Sequence, residues 1–89
     1  MAWRIEFDSR TEKELKRLDL PTRRRIMRFL AERVAPLKDP RSLGGPLQGP
    51  VLGQFWKYRV GDYRLICDIQ DRVITIVVLR VAHRREVYR

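Results

Sequence analysis

A single cysteine and a single histidine in 89 residues set the first limits on what this sequence can do. With Cys67 alone, no disulfide can form within the chain and no cysteine-rich zinc site can be assembled. That usage fits a reducing, cytoplasmic setting. With His83 alone, paired imidazoles and the Ser/His/Asp arrangement of familiar hydrolases are also missing. Any catalysis has to come from lysine, arginine, tyrosine and that one histidine, and neither a metal nor a cofactor is expected. Long apolar runs are lacking too. Nothing approaches the roughly 18 residues of a membrane span, so no membrane partner is expected. Met-Ala-Trp-Arg leads into charged residues with no apolar leader stretch behind it, which speaks against secretion. Acidic residues are the minority, 11 against 20 lysines and arginines, leaving a formal charge of +9.

What is present is enough for one domain over residues 1–89, near the size at which a core only just offsets the entropy of ordering the backbone. The apolar fraction of 44% is ordinary for a globular chain. The positive charge favours a polyanion, because each neutralised phosphate releases counterions. Solubility alone is the competing explanation of the charge, and an acidic protein partner is compatible with either.

Residues 2–7 alternate, with Trp3, Ile5 and Phe7 on one face, and predict a half-buried strand. Asp8 and Ser9 offer helix-start chemistry, and Glu12, three residues after Ser9, predicts a capping box for a short helix to Leu18. Asp19-Leu20-Pro21 reads as a second cap. From Thr22 the repeat Ile26, Leu30, Val34 with Phe29 predicts a second helix, ended by Pro36 and Pro40 and packed with the first as a hairpin. The stretch from Lys38 to Gly53, rich in glycine and proline, reads as a loop. The period then changes. Gln54 to Val60, Tyr63 to Gln70 and Val73 to Val81 predict an antiparallel meander, its last strand apolar enough to be covered on both faces. His83 to Arg89 reads as a polar tail or turn.

Taking Gly61-Asp62 as a two-residue hairpin loop pairs Val60 with Tyr63, Tyr58 with Leu65 and Trp56 with Cys67, all on one apolar face. The other face receives Arg59 beside Arg64, Lys57 beside Ile66 and Phe55 beside Asp68. Like charges directly across a hairpin are destabilising, so the Arg59/Arg64 pair is a local conflict of the kind that marks a functional site. The alternative is that one arginine reaches outward or pairs with Asp62 or Asp68. The length of the Asp71-Arg72 turn, and with it the face of Arg80, stays open at this point.

The opening strand with Phe7-Asp8, two helices, a loop with Leu43 and Gly44, the run from Trp56 to Leu65 around Gly61-Asp62-Tyr63-Arg64, and the closing His83-Arg84-Arg85-Glu86-Val87-Tyr88 together resemble the RelE/ParE toxin superfamily of bacterial and archaeal type II toxin-antitoxin systems, its RelE branch in particular. The resemblance covers almost the whole chain. It implies an α+β fold in which two N-terminal helices pack on a four-stranded, mostly antiparallel sheet, in strand-helix-helix-strand-strand-strand order. It implies a cytoplasmic, metal-independent endoribonuclease that cleaves mRNA in the ribosomal A site, and a cognate acidic antitoxin encoded beside it. The ribosome with its mRNA and rRNA is the other expected partner. Carried over by position, Lys57, Arg64, Arg84, Tyr88 and His83 are the catalytic candidates, His83 standing where a lysine is common. Arg59, Arg80 and Arg85 are the RNA-binding candidates. Phe55 departs from the pattern of members that have a second lysine there, thought to act as the general base.

Chemically, metal-free RNA cleavage needs a base for the 2′-hydroxyl, charge stabilisation at the phosphorus and an acid for the 5′-oxygen. Arginine cannot deprotonate and suits the electrostatic role; Lys57, His83 and Tyr88 remain as candidate bases. Two other readings stand beside this one. A ParE-type member of the same superfamily would poison DNA gyrase without cutting RNA. A non-catalytic nucleic-acid-binding module would use Trp56 and Tyr58 as stacking platforms.

Overall fold

The computed structural model of the chain describes residues 2–50 and 52–87. The opening alternation forms strand β1 (Arg4–Phe7), with Ile5 and Phe7 half-buried and Arg4 and Glu6 exposed. Helix α1 (Ser9–Lys16) follows at once, capped by Asp8, whose carboxylate accepts the Thr11 backbone N–H at 2.8 Å. The expected Ser9/Glu12 capping box is therefore shifted by one residue. The Asp8 side chain already satisfies the amide that a Ser9 cap would leave inside the helix. Asp19 caps α2 (Leu20–Phe29) in the same way, through the Thr22 N–H and hydroxyl, with Pro21 in the first turn where a missing N–H costs nothing. The helix continues through one π-type turn (Leu30–Val34), closed by the Ala35 N–H donating to the Leu30 carbonyl, and Pro36 follows.

The sheet comprises β1, β2 (Gly45–Pro46), β3 (Trp56–Val60), β4 (Tyr63–Gln70) and β5 (Thr75–His83), in the spatial order β1-β5-β4-β3-β2. The β1/β5 pair is parallel and the others antiparallel. Five strands replace the four expected. The extra one is a two-residue edge strand in the Gly/Pro-rich segment, where Gly45 pairs with Lys57 and Pro46 with Trp56. So short a strand leaves no alternating pattern to read, and proline is tolerated there because an edge position does not require its N–H.

The β3–β4 hairpin has the predicted register: Val60 opposite Tyr63, Arg59 opposite Arg64, Tyr58 opposite Leu65, Lys57 opposite Ile66 and Trp56 opposite Cys67. Gly61 turns it at φ +59°, a conformation that a side chain resists. The next connection takes four residues, a 3₁₀ turn (Asp71–Val73) and then Ile74 at φ 49°, unusual for a β-branched residue. A bulge lies between Ile66, which pairs with Arg80, and Cys67, which pairs with Val78. That irregularity settles the face of Arg80: strand parity places it with Ile66 and Lys57.

One buried cluster joins the layers, with Leu15, Ile26, Leu30 and Val34 from the helical layer meeting Tyr58, Val60, Leu65, Cys67, Ile76 and Val78 from the sheet. The helices do not pack chiefly on each other as a hairpin. Instead α1 lies over β5 and α2 against β3, because each has one narrow apolar stripe and each stripe is used on the sheet. Covering of β5 is uneven, since Ile76 and Val78 are buried while Val77 and Leu79 are half-buried. The edge of β5 beyond β1 is satisfied by α1: the Thr11 hydroxyl donates to the Val78 carbonyl at 2.6 Å, and the Val81 N–H donates to the Glu14 carboxylate at 2.8 Å. A short helix, α3 (Arg84–Val87), stands where a tail or turn was expected.

Candidate nucleic-acid interface and active site

Strand parity separates two chemistries on β3 and β4. The face toward the helices carries Tyr58, Val60, Leu65 and Cys67, all buried. The other carries Lys57 and Arg64, both half-buried, and the exposed Arg59. Burial pushes the Cys67 thiol up to about 12, so it stays protonated and unreactive at neutral pH. Tyr58 is 1% exposed, its hydroxyl donates to the Pro40 carbonyl at 2.6 Å, and burial raises its pKa well above the usual tyrosine range. The Trp56 indole N–H donates to the Leu43 carbonyl at 2.7 Å. Both aromatic side chains thus hold the Pro40–Leu43 segment against β3. The buried Tyr58 ring is closed to stacking with bases.

On the cationic face, Lys57, Arg59 and Arg64 line a cavity of about 270 Å³ whose remaining wall is Gly44, Gly45 and the Tyr58 strand. Arg59 turns its Nε toward the Gly61 carbonyl at 3.3 Å, at the hairpin tip. The second group of candidates gathers beyond that tip. A larger cavity of about 620 Å³ is lined by Asp62, His83, Arg84 and Arg85. The Arg84 N–H donates to the Asp62 carbonyl at 2.7 Å and its guanidinium lies 3.9 Å from the Asp62 carboxylate, so α3 starts from the β3–β4 turn. The exposed ion pair contributes little to stability, and it is the backbone bond that sets where α3 begins.

His83 pairs with Tyr63, and the rings meet edge-on at 5.4 Å. By parity this is the face opposite Lys57 and Arg64, and His83 Nδ1 accepts from the Arg85 N–H at 3.3 Å. Arg80 lies with its Nε 3.4 Å from the Glu14 carboxylate, braced by α1. The described residues therefore bring Lys57, Arg59 and Arg64 together, place Arg84 and Arg85 at the adjoining strand end, set His83 on the opposite face, and leave Arg80 on the Lys57 face but two strands away, held by Glu14. Tyr88 lies outside the described residues. The sequence reading missed Gly45 as part of the wall, Asp62 as the partner of Arg84 and Glu14 as the partner of Arg80. Only Asp62 had a signal, its place in the hairpin loop.

The sequence model described as the ParE toxin of the type II toxin-antitoxin system parDE matches residues 5–88. The chain belongs to the RelE/ParE toxin superfamily. This toxin is 30% identical to toxin RelG of Mycobacterium tuberculosis over 89 residues, spanning 100% of this chain and 99% of that protein. It is 31% identical to the mRNA interferase toxin RelE of Escherichia coli over 90 residues, 99% of this chain and 92% of that protein. In structure it resembles the toxin in the RelBE2 toxin-antitoxin complex of Mycobacterium tuberculosis, with TM-score 0.82, 26% identity, and coverage of 93% of this chain and 92% of that one. It also resembles a mutant of Escherichia coli RelE in the free state, with TM-score 0.76, 28% identity, and coverage of 99% and 92%. The toxin is thus a RelE-family member of the type II toxin-antitoxin class. No helix among its described residues is long and apolar enough to cross a membrane.

Proposed function

We propose that this toxin is a ribosome-dependent endoribonuclease that cuts mRNA in the A site, and that the Lys57/Arg59/Arg64 face is where the RNA lies. The observation that carries the reading is the Arg59/Arg64 pair: two like charges placed directly across a hairpin, on the sheet face turned away from the core, beside a cavity. Arg59 reaches outward to the Gly61 carbonyl, so the positive charge of this face is spread along the cavity and gains when a polyanion lies against it. The mRNA interferase named among the relatives supports the same substrate.

In the proposed reaction a base takes the proton of the 2′-hydroxyl, the 2′-oxygen attacks the adjacent phosphorus, and the 5′-oxygen leaves with a proton from an acid. The products are a 2′,3′-cyclic phosphate and a 5′-hydroxyl. Arg64, with Arg84 at the neighbouring strand end, holds the phosphate oxygens through forked donors as negative charge develops. Lys57 shares the face of Arg64 and is favoured as base over His83, which faces the other way. Tyr88 is assigned to the same chemistry from its place in the sequence pattern. Arg59 and Arg85 bind flanking phosphates, and Arg80, held by Glu14, supports the strand end. A cognate acidic antitoxin is the proposed protein partner, supported by the antitoxin-bound state of the Mycobacterium tuberculosis neighbour.

Programmed ribosomes incubated with wild type, Arg64→Ala, Arg84→Ala and Tyr88→Phe test the assignment. Losing one charge-stabilising group should lower the single-turnover cleavage rate roughly 10²- to 10³-fold. Wild-type cutting by all three variants would remove the proposed site. The family model's ParE description favours one rival, a gyrase poison. Its signature is blocked DNA supercoiling with translation intact.

A further inference from the structure

Gly44 and Gly45 stand side by side in the wall of the cationic cavity, and the structure accounts for only one of them. Gly44 has φ +79°, and a Cβ there would run into the Lys57 carbonyl and come within 2.9 Å of the Trp56 indole nitrogen. Nothing but glycine fits. Gly45 has no positive φ, and a Cβ built on it meets no atom within 4 Å. Neither backbone conformation nor packing explains glycine at that position. As a strand residue glycine is also a poor choice, having no side chain to pack and more chain entropy to lose than any alternative.

The register shows what the missing side chain leaves open. Gly45 is directly opposite Lys57, and residues so paired project to the same face of a sheet. Any side chain at Gly45 would therefore rise beside Lys57, into the 270 Å³ cavity that Lys57, Arg59 and Arg64 line. We infer that Gly45 is the bare floor of an RNA subsite, where the sugar-phosphate backbone of a single-stranded segment lies against the main chain of β2 with its charge turned to Lys57 and Arg64. A cavity of this volume has room for a group on the scale of a ribose phosphate, and its cationic lining selects an anion. This subsite rests on the RNA-cleaving reading above and adds to it the steric element that admits the strand.

The inference makes stability and function respond in opposite senses. Gly45→Val and Gly45→Leu should fold as well as wild type or better, with an unchanged or higher Tm, because the new side chain enters open space on a strand. Cleavage of mRNA on programmed ribosomes should fall at least about tenfold for Gly45→Val and further for Gly45→Leu, the scale on which one pocket contact discriminates. Gly53→Ala serves as the control, since its Cβ would make only an ordinary 3.7 Å contact with the Leu47 carbonyl. A second readout is anisotropy with a short oligoribonucleotide methylated at its 2′-oxygens, in salt high enough to suppress binding by charge alone. If wild type cuts and Gly45→Leu cuts at the same rate, the subsite is wrong and the nuclease reading stands. If wild type does not cut, the nuclease reading falls. In that case weaker oligonucleotide binding by Gly45→Leu keeps the RNA subsite, and equal binding overturns it.

Discussion

At the scale of single residues, Arg59 and Arg64 mark a candidate site by their register alone. Both the pairing and the face were legible in the sequence, because a two-residue loop at Gly61-Asp62 admits one register and a slip by one residue would turn Tyr58, Leu65 and Cys67 into solvent. The exposed Arg59 carries a prediction. Arg59→Thr removes a surface charge and its bond to the Gly61 carbonyl, and should change stability by no more than about 0.5 kcal/mol in urea unfolding while weakening RNA binding. A loss of both would show Arg59 to be held by contacts that the hairpin needs. Tyr58→Phe probes the core face. It removes the hydroxyl that donates to the Pro40 carbonyl in a buried setting, and should lower stability by about 0.5–1.5 kcal/mol. The bare position at Gly45 was not legible, because its meaning depends on a two-residue pairing with Lys57 that no periodicity announces.

At the scale of elements, the α1–β5 junction ties the helical layer to the sheet. Asp8 caps α1, Thr11 shares its one hydroxyl proton between the Asp8 carboxylate and the Val78 carbonyl, and Glu14 takes the Val81 N–H. Thr11→Val keeps the shape and deletes the donor, and should destabilise the fold by about 0.5–1.5 kcal/mol, the range for losing one hydrogen bond, since the Val78 carbonyl still accepts the Asp8 N–H. The bonds from the Thr11 backbone and side chain hold the Asp8 carboxyl below its ordinary value of 3.8. Its folded pKa is depressed, so its stabilising contribution is complete above about that ordinary value and disappears as pH falls through the lower, folded one. The Asp71 carboxyl, gripped by Arg41 at 2.9 Å, shifts in the same direction. Unfolding of wild type and Asp8→Asn followed from pH 7 to pH 2 should therefore show a stability gap at neutral pH that closes in acid. A gap constant across that range would mean that the cap works through shape alone. The elements themselves were readable from caps and periods, whereas the offset at Asp8 and the separate seats of α1 and α2 depend on what each helix meets in the sheet.

At the scale of the whole molecule, the charge of +9 is distributed in a way that composition alone cannot reveal. Arg25 of α2 reaches the hairpin tip, its guanidinium 2.9 Å from where a Cβ on Gly61 would sit, and together with Arg28, Arg33 and Arg59, and one acid, Glu32, it lines a groove of about 400 Å³. Cations therefore continue from the sheet face around the Gly61 turn to the helices, a layout suited to a long polyanion. Binding to single-stranded RNA should weaken steeply with salt, each contacted phosphate contributing about 0.7 to the logarithmic slope, and Arg59→Thr should flatten it by about that amount. The proposed cleavage of ribosome-bound message, by attack of the RNA's own 2′-hydroxyl on the adjacent phosphorus, is tested most directly by the chemistry of the cut ends. It predicts a 2′,3′-cyclic phosphate upstream and a 5′-hydroxyl downstream, formed by wild type and lost in Arg64→Ala. Ends bearing a 3′-hydroxyl and a 5′-phosphate, or intact message alongside blocked DNA supercoiling, would contradict it.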